Sequence, residues 1–143
     1  MSLPAPILLV EDNPMDVDLT RRAFARRKLS NPLLVARDGQ EALETLHGWE
    51  ETQPPPAVVL LDIKLPKVDG ISVLRELRKH PRLGRTPVVM LTTSREDADI
   101  DAAYACGANS YVLKPVDFEK FLEIAGQLEL YWMALNTPPR PGI

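Results

Sequence analysis

The chain has 143 residues, of which 45% are hydrophobic and 26% charged, as expected for one ordinary globular domain. The formal net charge of −3 gives no reason to expect binding to nucleic acid, which needs a basic surface. No apolar stretch approaches the roughly 20 residues needed to cross a bilayer, and the single cysteine excludes an internal disulfide. We therefore expect a cytoplasmic protein that binds neither nucleic acid nor membranes.

Short apolar runs alternate with helical patterns along the whole chain. The runs predict strands at residues 7–10, 33–36, 58–61, 88–91 and 111–113. The helices that follow are predicted to begin near residues 13, 38, 70, 97 and 117. Because crossovers between parallel strands are right-handed, this order favours an α/β fold, a doubly wound five-stranded parallel sheet covered by five helices.

Local signals place the ends of two helices. Asn13 is a typical cap at the start of the first helix. Gly107 is well placed to end the fourth helix in a left-handed conformation. Within that fourth helix, over residues 97–105, helical spacing predicts Ile100, Ala103 and Tyr104 on one side.

Polar side chains terminate four of the five predicted strands. Glu11 and Asp12 follow the first strand, Asp62 the third, Thr92 the fourth and Lys114 the fifth. The carboxyl ends of parallel strands meet at one edge of the sheet, where open α/β folds place their chemistry. We therefore expect these residues to form one site.

These residue types indicate phosphoryl transfer. Clustered carboxylates repel each other, whereas a divalent cation such as Mg²⁺ prefers their hard oxygen atoms, here from Glu11, Asp12 and Asp62. Asp62 is a candidate nucleophile, because a carboxylate can form an acyl phosphate. Lys114 would neutralise phosphoryl oxygens, and the Thr92 hydroxyl would donate a hydrogen bond to another. Such catalysis is mostly positioning and charge stabilisation.

Four motifs carry a resemblance to a known family. They lie at residues 7–13 (ILLVEDN), 61–70 (LDIKLPKVDG), 91–94 (LTTS) and 107–115 (GANSYVLKP). With these motifs in this order, the chain resembles the receiver domain of two-component response regulators over residues 6–126. The resemblance implies a flavodoxin-like receiver fold, and it extends to the stand-alone regulators paired with phytochrome-type histidine kinases.

The resemblance implies a role for each strand-end residue. Asp62 matches the phosphoacceptor aspartate, and Thr92 and Lys114 match the pair that contacts the phosphate. The implied ligands of Mg²⁺ are Glu11, Asp12, Asp62 and the backbone carbonyl of Lys64.

The resemblance also implies a switch. Thr92 and Tyr111 match the pair that moves on activation, and the Lys114–Pro115 bond matches one that is usually cis. The implied protein is a single-domain response regulator that accepts a phosphoryl group from a sensor histidine kinase and then changes its partner binding. It would be no enzyme beyond its own phosphorylation and dephosphorylation.

Other functions stay open at this point. One is a phosphorelay intermediate that passes phosphate to a histidine phosphotransfer protein, and another is a receiver-like binding module that is never phosphorylated. Aspartate phosphatases need a second Asp two places after the nucleophile, where this chain has Lys64. A flavodoxin-like electron carrier would need a phosphate-binding loop after Val10, where acids stand instead.

We expect a receiver domain over residues 4–136, with an extended C-terminal helix, and a flexible tail over residues 137–143.

The spacing of apolar residues in the last helix predicts an interface. Phe118, Phe121, Leu122 and Ala125 share a helical stripe that should pack on the sheet. A second apolar set predicts a two-fold symmetric homodimer: Ile124, Leu128, Tyr131, Trp132 and Leu135.

The remaining reactive or charged residues predict no second site. His47 and His80 are expected to be ordinary surface histidines, and Cys106 a small residue near a helix end. A basic run in the first helix predicts a solvated face or a docking surface for an acidic partner: Arg21, Arg22, Arg26, Arg27 and Lys28.

Overall fold

Five parallel strands form one sheet with helices on both faces, which confirms the predicted fold class. The computed structural model describes residues 5–114 and 117–128, without the side chains of Lys120, Ile124 and Leu128. The strands are β1 Ile7–Val10, β2 Leu33–Ala36, β3 Val58–Leu61, β4 Val88–Thr92 and β5 Ser110–Leu113. The helices are α1 Pro14–Arg26, α2 Gly39–His47, α3 Gly70–Lys79, α4 Asp97–Ala105 and α5 Phe118–Leu128.

The register of the sheet brings the strand ends into line. The strand order is β2-β1-β3-β4-β5. Val10 pairs with Leu61, and Leu61 pairs with Met90. The residues that follow β1, β3 and β4 therefore reach the same carboxyl edge.

Alternate residues of each strand enter two separate cores. Leu8, Val59 and Met90 pack in the core that contains α2, α3 and α4 side chains. Their neighbours Leu9 and Leu60 pack in the core that contains α1 and α5 side chains. Because both faces of the sheet are covered, the strands are apolar without interruption and polar residues are left to the strand ends.

Gly70 fixes the start of α3 against the end of β3. A Cβ atom at this position would lie 2.0 Å from the carbonyl oxygen of Asp62. The Gly70 N–H also donates to the Ile63 carbonyl (2.8 Å), and the Asp69 carboxylate caps the helix by accepting from the Ser72 N–H (2.9 Å). This close approach restricts the backbone that carries Asp62.

The fourth helix confirms one prediction and corrects another. Gly107 ends α4 with a φ of +96°, and the Ala108 N–H donates to the Ala103 carbonyl at 3.0 Å. Tyr104 was predicted on the same side as Ile100 and Ala103, but it is 50% exposed whereas Ala103 is fully buried. The side of this helix that faces the core carries small residues instead: Ala103 lies in the core, and Ala102 and Cys106 pack against it.

His80 is not the ordinary surface histidine that the sequence predicted. It is half-buried, and its Nδ1 accepts from the N–H groups of Arg82 and Leu83, both at 3.1 Å. Its Nε2 lies 3.0 Å from the Leu46 carbonyl, which fits a neutral ring that donates from Nε2. The ring therefore joins the end of α3 to the end of α2. His47 is exposed, as predicted.

The described turns of α5 confirm the predicted stripe. Phe121 and Ala125 are buried, and Phe118 and Leu122 pack against the same core. No helix within residues 5–114 and 117–128 is long and apolar enough to cross a membrane.

Several predictions fall outside the described residues. They are the cis bond to Pro115, the helical extension to residue 136, the tail at 137–143, and the interface side chains of Ile124, Leu128, Tyr131, Trp132 and Leu135. Each of these stays a prediction.

Candidate functional site

Three acids meet at the carboxyl edge of the sheet. The backbone N–H of Glu11 donates to the Ala36 carbonyl (2.9 Å), and that of Asp62 donates to the Val10 carbonyl (3.2 Å), so both residues continue the sheet pairing beyond their strands. Carboxylate oxygens of Glu11, Asp12 and Asp62 lie within 4.8 Å of one another. Glu11 and Asp62 are buried, whereas Asp12 is exposed.

The Lys114 ammonium lies among carboxylates from three elements. Its Nζ is 2.5 Å from Glu11 Oε1, 2.9 Å from Asp16 Oδ2 and 3.0 Å from Asp62 Oδ2. The lysine side chain is only 6% exposed. The Lys114 N–H donates to the Thr92 carbonyl (2.7 Å), which holds the lysine beside β4.

The pKa values of Glu11 and Lys114 are both raised above their ordinary values, for different reasons. Burial raises the pKa of Glu11 to about 7, although hydrogen bonding and the positive charge of Lys114 offset part of the effect. Burial alone would lower the pKa of Lys114, but its hydrogen bonds to Glu11 and Asp16 and the charge of Asp62 raise it above the usual value. Lys114 is therefore a permanent cation at neutral pH.

The acidic cluster fits a divalent cation. It offers three hard oxygen donors within reach of one another. Burial penalises the charged form of Glu11 and so raises its pKa, and the positive charge of a bound cation would offset that penalty. The Lys64 N–H donates to Asp62 Oδ1 (3.3 Å), so this residue lies beside the same carboxylate. Its carbonyl remains a predicted fourth ligand.

The predicted switch residues are joined through Ser94. Thr92 is buried at the end of β4, and its Oγ1 accepts from the Ser94 N–H (3.3 Å). The Tyr111 hydroxyl donates to the Ser94 carbonyl (2.9 Å). Burial raises the pKa of Tyr111 above its ordinary value, so the phenol stays protonated and can donate. Thr92 and Tyr111 are therefore linked by the loop that follows β4.

A second, more exposed network lies at the mouth of the site. The Asp99 carboxylate accepts from Ser94 Oγ (2.6 Å) and lies 3.4 Å from Lys64 Nζ. The Ser94 hydrogen bond is the main reason that the pKa of Asp99 is low. A cleft of about 690 Å³ opens here, with Asp12, Lys64 and Asp99 in its lining. A phosphate-bearing group could reach the acids through this cleft.

Sequence reasoning missed two of these residues. Asp16 lies in the first turn of α1, where an acid is explained by the helix dipole alone, so the sequence did not indicate its contact with Lys114. Asp99 looks like an ordinary acid in the first turn of α4. Only the fold brings it to Lys64 and Ser94, so no local signal would have found it.

Glu11 should make the metal-free protein less stable as pH rises from about 4.5 to about 7. Its pKa is raised on folding, so the folded state binds more protons than the unfolded chain in this window and the free energy of unfolding falls. Each unit of pKa shift corresponds to about 1.4 kcal/mol, so the fall should exceed about 1 kcal/mol. Glu11→Gln should flatten it, as measured by urea unfolding at several pH values with a chelator present.

Glu51→Gln is the matched control, because Glu51 is an exposed loop residue. Its pH dependence of stability should match that of the unchanged protein. An equal pH dependence for Glu11→Gln would show that this carboxyl does not titrate as described.

The family comparison identifies the chain over most of its length. The model of the response regulator receiver domain matches residues 7–125. Among curated proteins, the probable methanogenesis regulatory protein FilR2 of Methanothrix harundinacea is 42% identical over 139 residues, which is 96% of this chain and 90% of FilR2. The response regulator Rcp1 of Synechocystis sp. is 36% identical over 138 residues, which is 95% of this chain and 94% of Rcp1.

Solved structures agree with this assignment. The phosphorylated cyanobacterial phytochrome response regulator RcpA superposes with a TM-score of 0.86 at 36% identity, covering 95% of this chain and 99% of RcpA. The Mn²⁺-bound form of Rcp1 gives a TM-score of 0.83 at the same identity and coverage. Receiver domains take a phosphoryl group on an aspartate from a kinase. This chain belongs to the response regulator receiver family.

Proposed function

We propose that Asp62 is the phosphoacceptor of this response regulator, and that phosphorylation by a sensor histidine kinase changes its partner binding. One observation carries the proposal: Asp62 Oδ2 lies 3.0 Å from Lys114 Nζ, beside the carboxylates of Glu11 and Asp12. A nucleophile with a fixed cation at its side and further oxygen donors around it is the arrangement that phosphoryl transfer requires.

The proposed reaction transfers phosphorus from nitrogen to oxygen. A carboxylate oxygen of Asp62 forms a bond to phosphorus while the bond between phosphorus and the donor histidine breaks. The electron pair of that bond returns to the imidazole, which takes a proton from solvent. Lys114 neutralises one phosphoryl oxygen as a fixed point charge, and the Thr92 hydroxyl donates to another.

The proposed cofactor is Mg²⁺. Glu11, Asp12, Asp62 and the backbone carbonyl of Lys64 would hold it, leaving further positions for water and a phosphoryl oxygen. When bound, the ion supplies positive charge to the oxygens of the phosphoryl group. The acid cluster supports a divalent ion in general, and the choice of Mg²⁺ follows from its preference for carboxylate oxygens and retained water.

The proposed output is a shift between two conformations. A phosphoryl group on Asp62 would bias the position of Thr92, and the link through Ser94 would pass this bias to Tyr111 and to α4. In this proposal the protein is cytoplasmic, binds no nucleic acid, and catalyses only its own phosphorylation and dephosphorylation.

Asp62→Asn should abolish phosphorylation. The amide cannot form an acyl phosphate, so incubation with acetyl phosphate and Mg²⁺ should add one phosphoryl mass to the unchanged protein and none to the variant. Intact-protein mass spectrometry measures the difference.

Asp18→Asn is the matched control, since Asp18 is an exposed acid of α1 that pairs with Arg22. This variant should be labelled like the unchanged protein. Labelling of Asp62→Asn at the rate of the control would refute the assignment of the nucleophile.

We further propose a phytochrome-type histidine kinase as the partner. Support comes from Rcp1 and RcpA, which resemble this chain over nearly their whole lengths. In a phosphotransfer assay against the histidine kinases of its organism, transfer should be fastest from a kinase of this type. Fastest transfer from another kinase class would contradict the pairing and leave Asp62 as the acceptor.

We also propose a homodimer formed by the C-terminal helix, on the spacing of Ile124, Leu128, Tyr131, Trp132 and Leu135 in the sequence. Tyr131→Ala combined with Trp132→Ala should convert a dimer into a monomer, measured by light scattering with chromatography. Tyr104→Ala, on the exposed side of α4, should leave the dimer intact. An unchanged mass for the double variant would disprove this interface.

A further inference from the structure

We propose that Asp16 is a positioning residue that keeps Lys114 beside Asp62 when a divalent cation binds the acid cluster. This inference rests on the proposed function. It concerns a residue that neither the sequence motifs nor the family resemblance assigns to the site.

The first observation is that each N–H donor of the Lys114 ammonium has a carboxylate partner. An ammonium has three N–H donors, and Lys114 has a carboxylate for each of them, from Glu11, Asp16 and Asp62. The side chain is buried, so these contacts replace nearly all of its hydration. Loss of any partner leaves part of a buried charge unpaired, which is costly.

The second observation is which partners a cation would also use. Glu11 and Asp62 belong, with Asp12, to the group whose oxygens lie within 4.8 Å of one another. A divalent ion in that group would draw on both carboxylates and repel the ammonium. Among the carboxylates that contact Lys114 in the described ranges, Asp16 alone stands outside the group.

The third observation is that Asp16 is held by a rigid element. It lies in the first turn of α1, where Asn13 caps the helix by accepting from the Met15 N–H (2.9 Å). The Thr20 hydroxyl donates to the Asp16 carbonyl (2.7 Å), and the Asp16 side chain is 15% exposed. A carboxylate at a helix N-terminus is also favoured by the helix dipole. Asp16 therefore offers Lys114 a fixed partner in both states of the site.

The stabilisation that Asp16 gives to the Lys114 ammonium should therefore differ between the metal-free and the metal-loaded protein. In the metal-free protein, Lys114 without Asp16 would still contact Glu11 and Asp62. In the metal-loaded protein it would have to compete with the cation for those two carboxylates. Loss of the Asp16 carboxylate should therefore weaken metal binding through Lys114, in addition to its direct attraction for the cation.

A double-mutant cycle separates the two effects, with Mn²⁺ as the probe and the free ion measured by electron paramagnetic resonance. Asp16→Asn should weaken Mn²⁺ binding about tenfold when Lys114 is present, the scale of one charge-assisted hydrogen bond. In the Lys114→Met background the same change should weaken binding less than about threefold, because only the direct attraction remains.

The matched control is Asp18→Asn, which removes the same charge two residues further along α1. Asp18 is 55% exposed and pairs with Arg22, so this variant should leave Mn²⁺ affinity unchanged. An equal loss from Asp16→Asn in both Lys114 backgrounds, or no loss in either, would overturn the positioning role.

A second measurement needs no double variant. In the Mn²⁺-free protein loaded with Mg²⁺, the ¹⁵N signal of a hydrogen-bonded Lys114 ammonium should be visible in the unchanged protein and in Asp18→Asn. It should broaden beyond detection in Asp16→Asn, because the ammonium would then exchange with water. Lys114→Arg, which keeps the charge, assigns the signal by its loss. A persistent signal in Asp16→Asn would overturn the proposal.

These outcomes are distinguishable from failure of the proposed function. If the unchanged protein bound no Mn²⁺ and Asp62→Asn made no difference, the metal site itself would be wrong. If Asp62→Asn weakened binding but Asp16→Asn matched Asp18→Asn, only the role of Asp16 would be wrong.

Discussion

The contact of one buried ammonium with three carboxylates holds the site together. Lys114 comes from the end of β5, and its partners come from the ends of β1 and β3 and from α1. Removal of one member of a buried ion pair costs about 3–5 kcal/mol, so these elements are constrained to stay together. Yet the four acids Glu11, Asp12, Asp16 and Asp62 outnumber the one ammonium of Lys114, and burial of Glu11 penalises its negative charge and raises its pKa. The same cluster that orders the edge of the sheet therefore attracts a divalent ion.

Because helices cover both faces of the sheet, the polar residues of the site lie at its carboxyl edge. Both faces of β1 and β3 are buried, so a polar side chain within either strand would need a partner inside a core. The carboxyl edge is the first place where a carboxylate can meet both its strand neighbours and solvent. Gly70 fixes the backbone position at the same edge, because α3 can begin against the Asp62 backbone only where the residue has no Cβ atom. Packing of the core and placement of Asp62 are thus one constraint.

This constraint also explains how far the sequence could predict the structure. The apolar runs predicted every strand to within a residue, and the polar residues after them predicted the acid cluster, because both follow from local order along the chain. Contacts that depend on how helices rotate and pack were missed. Asp16 and Asp99 reach the site from helices, Tyr104 is exposed although Ala103 is buried, and His80 contacts a carbonyl 34 positions away in α2.

Two lysines flank Asp62, and their burial gives them different physical roles. Lys114 is nearly inaccessible and makes three charged contacts, so its removal would leave uncompensated acids in the interior. Lys64 is 60% exposed, and its ammonium lies 3.4 Å from the Asp99 carboxylate. An exposed pair of this kind is worth about 1 kcal/mol or less, so it can open without a large loss of stability. The inner lysine therefore fixes the arrangement of the acid cluster, while the outer pair joins α4 to the mouth of the site only weakly.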